Sequence, residues 1–202
     1  CFRTDHHWTM RGAYYAYAAW MRNKGETPLS LDDLKSDIVS RGFLGTHYSK
    51  ANVRGIRADT IEVLRPVVPS EADVFYPGEE AGDTRGVEVP EGHGIEAPQG
   101  LYWPGYLAER DQYAYFLGGN HALVRMKTQA ANGRSILVIK DSYANCFIPF
   151  LTAHYENIHV LDLRYYSAGI EQYARENGVD EVLFLFGLSQ FSTNSSLHKL
   201  AL

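Results

Sequence analysis

The chain has 202 residues and a mass of 22.7 kDa, which is enough for one full-sized α/β domain and short for two. Its 45% hydrophobic and 21% charged residues are typical of a globular domain, and they exclude an intrinsically disordered chain, a coiled coil or a collagen-like rod. A formal net charge of −5, without any block of like charges, indicates no nucleic-acid partner.

We expect residues 1–202 to form a single domain that is a fragment of a longer chain, because the sequence starts at Cys1 and enters an ordered-looking segment at once. No run approaches the roughly 20 apolar residues of a membrane span. A signal peptide or anchor before residue 1 stays open. The aromatic share of 13% suits an aromatic core and, as a second interpretation, a sugar-binding surface.

The first half of the chain predicts two helices followed by an insertion. Thr9 is a plausible N-cap for a helix over residues 10–22, and Ser30 caps a second helix expected over residues 31–40. Residues 50–107 are rich in Pro, Gly and short β-type pieces such as residues 60–64, which predicts a β-rich, loop-rich insertion. Within it, we expect a long surface loop near residues 76–100.

The last third of the chain predicts a parallel sheet. Three near-continuous apolar runs, at residues 135–140, 158–162 and 181–186, are typical of strands buried on both faces. Helix-length segments at residues 143–154 and 167–178 separate them, so the pattern is β-α-β-α-β with a mostly parallel sheet. Ligands of such sheets bind at the carboxyl ends of the strands.

Two groups of residues carry candidate chemistry. Ser142 follows the first buried strand at the turn into a helix, where a hydroxyl is exposed beside backbone amides; the alternative is that Asp141 or Ser142 is only a helix cap. Asp5 and His7 are two residues apart, so they share one face of an extended segment, and a carboxylate beside an imidazole can activate a serine. Surface histidines or an Asp-His-His metal site are the alternatives.

These segments resemble the bacterial DHHW-motif protein family. The resemblance rests on TDHHWT at residues 4–9, RGAYY at 11–15, YFLGGNH at 115–121, VIKDSYAN at 138–145 and LDLRYY at 161–166. It extends over almost the whole chain and is weakest in the middle. More distantly, the family is similar to the SGNH-hydrolase-like acetyltransferases of exopolysaccharide modification, such as the alginate O-acetylation proteins, whose Asp-x-His-Trp signature also precedes the serine.

The resemblance implies a three-layer α/β/α, flavodoxin-like SGNH fold and an acyl-serine mechanism with Ser142, His7 and Asp5 as the catalytic triad. It implies no cofactor and no metal. The implied enzyme is extracytoplasmic, secreted or tethered through a segment before residue 1, and moves acetyl groups onto or off a polysaccharide or other glycan acceptor. A membrane-bound protein as acyl donor is compatible with it.

The sequence departs from the SGNH pattern at two places. Lys140 replaces the glycine that usually precedes the Asp-Ser pair, and no asparagine follows the last strand to complete an oxyanion hole. The candidates for oxyanion or substrate contacts are therefore Gly119, Asn120, Tyr143 and Asn145, with Tyr48 and Arg164 as further substrate contacts. Each has a structural alternative. Gly119 and Asn120 could simply form a turn, Tyr48 could lie in a simple loop, and Arg164 could pair with Asp162.

Three functional hypotheses follow. The first is a serine-dependent O-acyltransferase or esterase. The second is a catalytically inactive carbohydrate-binding or scaffold module on the same fold, suggested by the absent asparagine and the many tyrosines. The third is a metal-dependent phosphoesterase, because the letters Asp-His-His also mark such a superfamily. Those enzymes need several further aspartates at strand ends before and after the motif, whereas here the motif opens the chain and only Asp141 and Asp162 lie at predicted strand ends.

Overall fold

A computed structural model describes residues 1–51, 55–67, 72–75, 100–193 and 195–201 of the chain. The predicted surface loop at residues 76–100 lies outside the described residues except for its last position. Among the described helices, none combines the length and the apolar composition that crossing a bilayer requires.

The described residues form a mixed α/β structure with two sheets. The helices are α1 (Met10–Asn23), α2 (Thr46–Ala51), α3 (Ile170–Glu176) and α4 (Leu188–Thr193). A two-stranded antiparallel sheet pairs β1 (Leu34–Phe43) with β2 (Asp59–Pro66). A five-stranded sheet has the order β3-β4-β6-β5-β7, from β3 (Ala72–Phe75), β4 (Leu123–Thr128), β5 (Ser135–Lys140), β6 (Asn157–Leu161) and β7 (Glu181–Leu185).

The five-stranded sheet is mixed rather than mostly parallel. Strands β6, β5 and β7 are parallel, as the three apolar runs predict, whereas β3 and β4 run antiparallel to their neighbours. Alternate residues of β5 pack into two apolar cores on opposite faces of the sheet: Ile136 and Val138 into the core shared with α1, and Leu137 and Ile139 into the core shared with α3. The sheet therefore separates two packed layers.

Strand β7 corrects the prediction that all three runs are buried on both faces. It is at the edge of the described sheet, and Val182 and Phe184 are 45% and 50% exposed. Strand β5, at a more interior position, is buried at every residue. An apolar run alone does not distinguish these two positions.

The helix predicted at residues 31–40 is wrong. Its cap is formed, because the Asp33 carboxylate accepts from both the backbone N–H and the hydroxyl of Ser30 at 2.7 Å, but only one 3-10 turn follows (Leu31–Asp33). Strand β1 then pairs with β2. The β-branched Ile38 and Val39 favour the strand, and cross-strand pairing outweighs the local capping signal.

The helix predicted at residues 143–154 is replaced by two 3-10 helices, Ser142–Cys146 and Ile148–Ala153. Pro149 lies in the first turn of the second one and has no N–H to continue an α-helix. The predicted helix at 167–178 is shorter than expected, as α3. Its end at Gly178, with φ of 60°, agrees with the sequence signal.

The opening segment is anchored to β2 by Asp59. The carboxylate of Asp59 accepts hydrogen bonds from the backbone N–H and the hydroxyl of Thr4, each at 2.7 Å, and from the backbone N–H of Arg3 at 3.0 Å. Burial alone would raise the pKa of Asp59, but these donors outweigh burial and lower it. This contact positions the residues that follow Thr4, and α1 begins directly after them with Thr9 as its cap.

We predict that Asp59→Ala lowers the free energy of unfolding by roughly 2 kcal/mol or more, because two buried donors of Thr4 lose their acceptor. Asp73→Ala, at an exposed position of β3, is the control and should change stability by no more than about 0.5 kcal/mol. Urea unfolding measures both. Equal midpoints for the two variants would contradict the anchoring role of Asp59.

Candidate active site

Asp5 and His7 are joined by two hydrogen bonds in the buried opening segment. The His7 Nδ1 lies 2.5 Å from Asp5 Oδ1, and the same oxygen accepts from the His7 backbone N–H at 2.9 Å. Since a carboxylate accepts, Nδ1 is the protonated ring nitrogen and Nε2 is left as an acceptor. The spacing of two residues thus produces the pairing that the sequence predicts.

The second carboxylate oxygen of Asp5 is held by the start of α2. Its Oδ2 accepts from the backbone N–H of Thr46 at 2.8 Å and from the Thr46 hydroxyl at 3.0 Å. The preceding Gly45 has no side chain because none fits: a Cβ there would lie 2.2 Å from the Cβ of Asp5. The carboxylate is therefore fixed from both sides.

The donors around Asp5 keep it ionised. Burial by itself would raise its pKa, but the nearby His6 imidazole and the hydrogen bonds from His7 and the Thr46 backbone outweigh burial and hold the pKa of Asp5 well below its usual range. A permanently charged carboxylate can orient an imidazole and stabilise imidazolium when it forms.

The other ring nitrogen of His7 meets Ser142. The His7 Nε2 lies 2.8 Å from Ser142 Oγ, although 135 residues separate the two positions. The imidazole stacks on the ring of Tyr113, with centroids 3.8 Å apart and planes within 8°. Burial lowers the pKa of His7 more than Asp5 raises it, so the pKa is lower than that of an ordinary histidine and burial favours the neutral ring.

Ser142 occupies the end of β5 as the sequence predicts, and a cap forms there too. Asp141 is the cap residue: its carboxylate accepts from the backbone N–H of Tyr143 at 2.9 Å and from that of Gly187 at 2.8 Å. Ser142 as a whole is half-buried, and its hydroxyl contacts His7. The cap interpretation therefore holds for Asp141, whereas the role of Ser142 as a nucleophile stays a prediction.

A groove of about 550 Å³ adjoins these residues. Most of its lining residues carry a polar side chain: His6, Thr46, His47, Lys50, Tyr143, Ser189 and Gln190, with Gly187 beside them. Tyr143 lies against Gly187, where a Cβ would come within 2.7 Å of the ring, and its hydroxyl donates to the His6 carbonyl. Tyr143, one of the predicted substrate contacts, therefore forms part of the groove wall.

Tyr48, the second tyrosine candidate, lies in α2 rather than in a simple loop. Its backbone N–H donates to the Thr4 carbonyl at 3.0 Å, which ties α2 to the opening segment. A contact between the Tyr48 ring and substrate stays a prediction.

The residues at 118–120 form the expected turn. Gly118 and Gly119 have φ of 67° and 96°. The N–H of Gly119 donates to the Phe116 carbonyl at 3.2 Å, so it is committed within the turn. Asn145 is buried and donates to the Gly119 carbonyl at 3.1 Å, while the half-buried Asn120 lies beside it. Of these oxyanion candidates, Asn120 is the one with accessible surface and an uncommitted amide nitrogen within the described part of the chain.

Arg164 forms the pair with Asp162 that the sequence left open. Its Nε and Nη2 donate to the two carboxylate oxygens at 2.9 and 2.6 Å. This bidentate contact raises the pKa of the guanidinium further. A contact between Arg164 and an anionic substrate stays a prediction.

Asp5, His6 and His7 also offer three atoms that could hold a metal ion, within 4.8 Å of one another. Two of these residues already hydrogen-bond each other, and His6 Nδ1 lies 2.7 Å from the Thr46 hydroxyl. The strand-end aspartates that a phosphoesterase would use are also engaged, since Asp141 binds two backbone amides and Asp162 binds Arg164. The geometry therefore favours the serine over the metal hypothesis.

Three further residues support the site and were not among the residues predicted from the sequence. Tyr113 stacks on His7 and also donates to the Ser142 carbonyl at 3.2 Å. Thr46 holds Asp5, and Trp8 donates from its indole N–H to the Tyr143 carbonyl at 2.7 Å. All three act across long sequence separations. Only Trp8, inside the DHHW motif, carried a signal in the sequence.

This geometry defines a class: an α/β protein with a buried Asp–His pair hydrogen-bonded to a serine at the carboxyl end of a parallel strand. The chain belongs to the DHHW family, because the family model described as "DHHW protein" matches residues 1–73 and 106–161. The matched stretches include Asp5, His7 and Ser142. No curated protein matches the chain.

Solved structures share the fold. A DHHW family protein from Eubacterium siraeum is 28% identical with a TM-score of 0.75, and the match covers 96% of this chain and 61% of that one. PatB1 from Bacillus cereus carrying a sulfonyl adduct is 21% identical with a TM-score of 0.69, covering 97% of this chain and 63% of that one. A second PatB1 structure, 20% identical with a TM-score of 0.69, matches 94% of this chain and 63% of its own. The chain thus spans about three fifths of the length of these structures.

Proposed function

We propose that the protein is a serine-dependent O-acyltransferase or esterase that moves acetyl groups onto or off a cell-surface polysaccharide. The observation that carries the proposal is the continuous chain of hydrogen bonds from Asp5 through His7 to Ser142, at 2.5 and 2.8 Å. A neutral imidazole that is oriented by a buried carboxylate and contacts the hydroxyl of a half-buried serine can activate that hydroxyl as a nucleophile.

The reaction would proceed through an acyl-serine. Ser142 Oγ forms a bond to the acyl carbonyl carbon, its proton passes to His7 Nε2, and the carbonyl electron pair moves to oxygen. As that pair returns, the bond to the leaving group breaks and His7 gives the leaving group its proton. A sugar hydroxyl or water then attacks the acyl carbon of the acyl-serine and gives its proton to His7. The bond between the acyl carbon and Ser142 Oγ breaks, and His7 returns the proton to Ser142. Asp5 stays charged and balances the imidazolium throughout.

One structural neighbour supports this chemistry. Sulfonyl reagents form covalent bonds with nucleophilic side chains, so the adduct reported for PatB1 supports a nucleophile on a scaffold of this fold. We include in the proposal the three-layer α/β/α fold and the acyl-serine intermediate of SGNH hydrolases, to which the family is more distantly similar.

A glycan is the acceptor we propose, because the groove beside Tyr143 offers hydroxyl, amide, imidazole and ammonium groups for sugar hydroxyls. An extracytoplasmic location and a membrane-bound acyl-donor protein complete the proposal, and these two rest on the family resemblance alone.

One observation favours the second candidate, an inactive carbohydrate-binding module. Of the amides considered for an oxyanion hole, the N–H of Gly119 and the side chain of Asn145 are already engaged within the protein. Glycan binding that survives His7→Gln, together with the lack of any acyl-enzyme by mass spectrometry, would support this candidate instead.

We predict that Ser142→Ala lowers turnover of an activated acetyl ester such as 4-nitrophenyl acetate by about 10³-fold or more, because the nucleophile is lost. Ser192→Ala is the matched control: Ser192 is exposed in α4, donates to the Ser189 carbonyl, and its removal should leave turnover unchanged. Parental turnover by Ser142→Ala would overturn the proposed function.

The pH dependence follows from the direction of the His7 pKa. The base must be neutral, so kcat/KM should rise with pH through an apparent pKa lower than that of an ordinary histidine and then level off. His6→Gln should keep this acidic limb, because His6 bonds to Thr46 and not to Ser142. A midpoint above the pKa of an ordinary histidine, or a limb lost with His6, would contradict the assignment of His7 as the base.

A further inference from the structure

A lysine is buried at the end of the strand that leads to the proposed nucleophile. Lys140, the last residue of β5, is 1% exposed and precedes Ser142 by two positions. Its ammonium donates to the side-chain oxygen of Asn120 at 2.9 Å and to that of Asn145 at 2.8 Å. No step of the proposed acyl-serine reaction uses this buried cation.

Charged groups from neighbouring segments face Lys140. Asp162, at the end of β6, lies 3.8 Å from its Nζ and is itself bound by Arg164, while Asp141 is the next residue in sequence. Burial lowers the pKa of Lys140 to about 8, and Asp162 and Asp141 act in the opposite direction. The side chain is therefore a cation at neutral pH.

A cationic lysine dictates how both amides are oriented. An ammonium has three donors and no acceptor, so Asn120 and Asn145 must each turn their oxygen toward it. The amide nitrogen of Asn145 then donates to Gly119 and to the oxygen of Asn120, at 3.1 and 3.4 Å. The oxygen of Asn120 is thereby held by two donors.

The amide nitrogen of Asn120 takes no part in this hydrogen-bond network. It makes no hydrogen bond within the described ranges, and Asn120 is half-buried whereas Asn145 is fully buried. Asn145 and Ser142 belong to the same 3-10 helix, Ser142–Cys146, so the network ties Asn120 to the segment that carries the nucleophile.

We propose that Lys140 is a positioning residue that fixes the amide of Asn120 with its NH₂ turned outward, as a donor to the oxyanion formed on the acyl group. The proposal rests on the proposed function. In SGNH enzymes an asparagine after the last strand is the oxyanion donor, and here Asn120, positioned by Lys140, would take that role. The proposal also explains why a lysine stands where a glycine is usual. The preorganised amide costs no reorientation when charge develops on the oxygen.

A double-mutant cycle on kcat tests this with 4-nitrophenyl acetate. Asn120→Ala and Lys140→Met should each lower kcat by about 10²–10³-fold, the loss typical of one oxyanion donor, with KM changed less than about threefold. Because the lysine acts through the asparagine, the double variant should lose no more than the worse single variant. Independent, multiplying losses would overturn the positioning role.

The controls separate this proposal from the proposed function. Lys199→Met removes another half-buried lysine, one that donates to the carbonyls of Leu163 and Tyr166, and should leave kcat unchanged. If Asn120→Ala keeps the parental kcat while Ser142→Ala is inactive, the oxyanion assignment is wrong and the acyl-serine chemistry stands.

A second measurement keeps the role of Lys140 testable if Lys140→Met does not fold. Above pH of about 8 the neutral amine can accept a hydrogen bond and no longer requires an oxygen from each amide. The kcat of the parent should therefore fall between pH 7 and 9, and this decline should be absent in Asn120→Ala. The same decline in both proteins would overturn the proposal.

Discussion

The hydrogen bond between His7 and Ser142 is the interaction on which the proposed chemistry depends. It joins the opening segment to the end of β5 across 135 residues, so closing it costs chain entropy that other contacts must offset. Asp59 anchors Thr4, and the start of α2 holds Asp5. Both contacts hold residues that directly precede His7 in the sequence, so they fix the position of the segment that carries its ring.

A second set of contacts holds the two partners together from the other side. The indole of Trp8 donates to the Tyr143 carbonyl, and the Tyr143 hydroxyl donates back to the His6 carbonyl. The ring of Tyr113 supports the imidazole. The histidine and the serine are thus linked by reciprocal contacts between the segments that carry them, which provides the preorganisation that acyl transfer requires. Burial in this setting also lowers the pKa of His7, which favours the neutral form that a general base needs.

The sequence predicted those features whose cause is local or periodic. The apolar runs identified β5, β6 and β7, and the spacing of Asp5 and His7 predicted their pairing. Cross-strand pairing decided β1, where a correct cap at Ser30 suggested a helix, and no local pattern records the partner strand. The supporting contacts of Tyr113 and Thr46 depend on where distant segments meet, so the sequence alone could not indicate them.

The most direct test of the contact is covalent labelling. Phenylmethylsulfonyl fluoride should modify Ser142, identified by peptide mapping, and His7→Gln should slow this labelling by about 10²-fold or more, since the imidazole removes the serine proton. Labelling of Ser142 at an equal rate in both proteins, or exclusive labelling of another residue, would contradict the account.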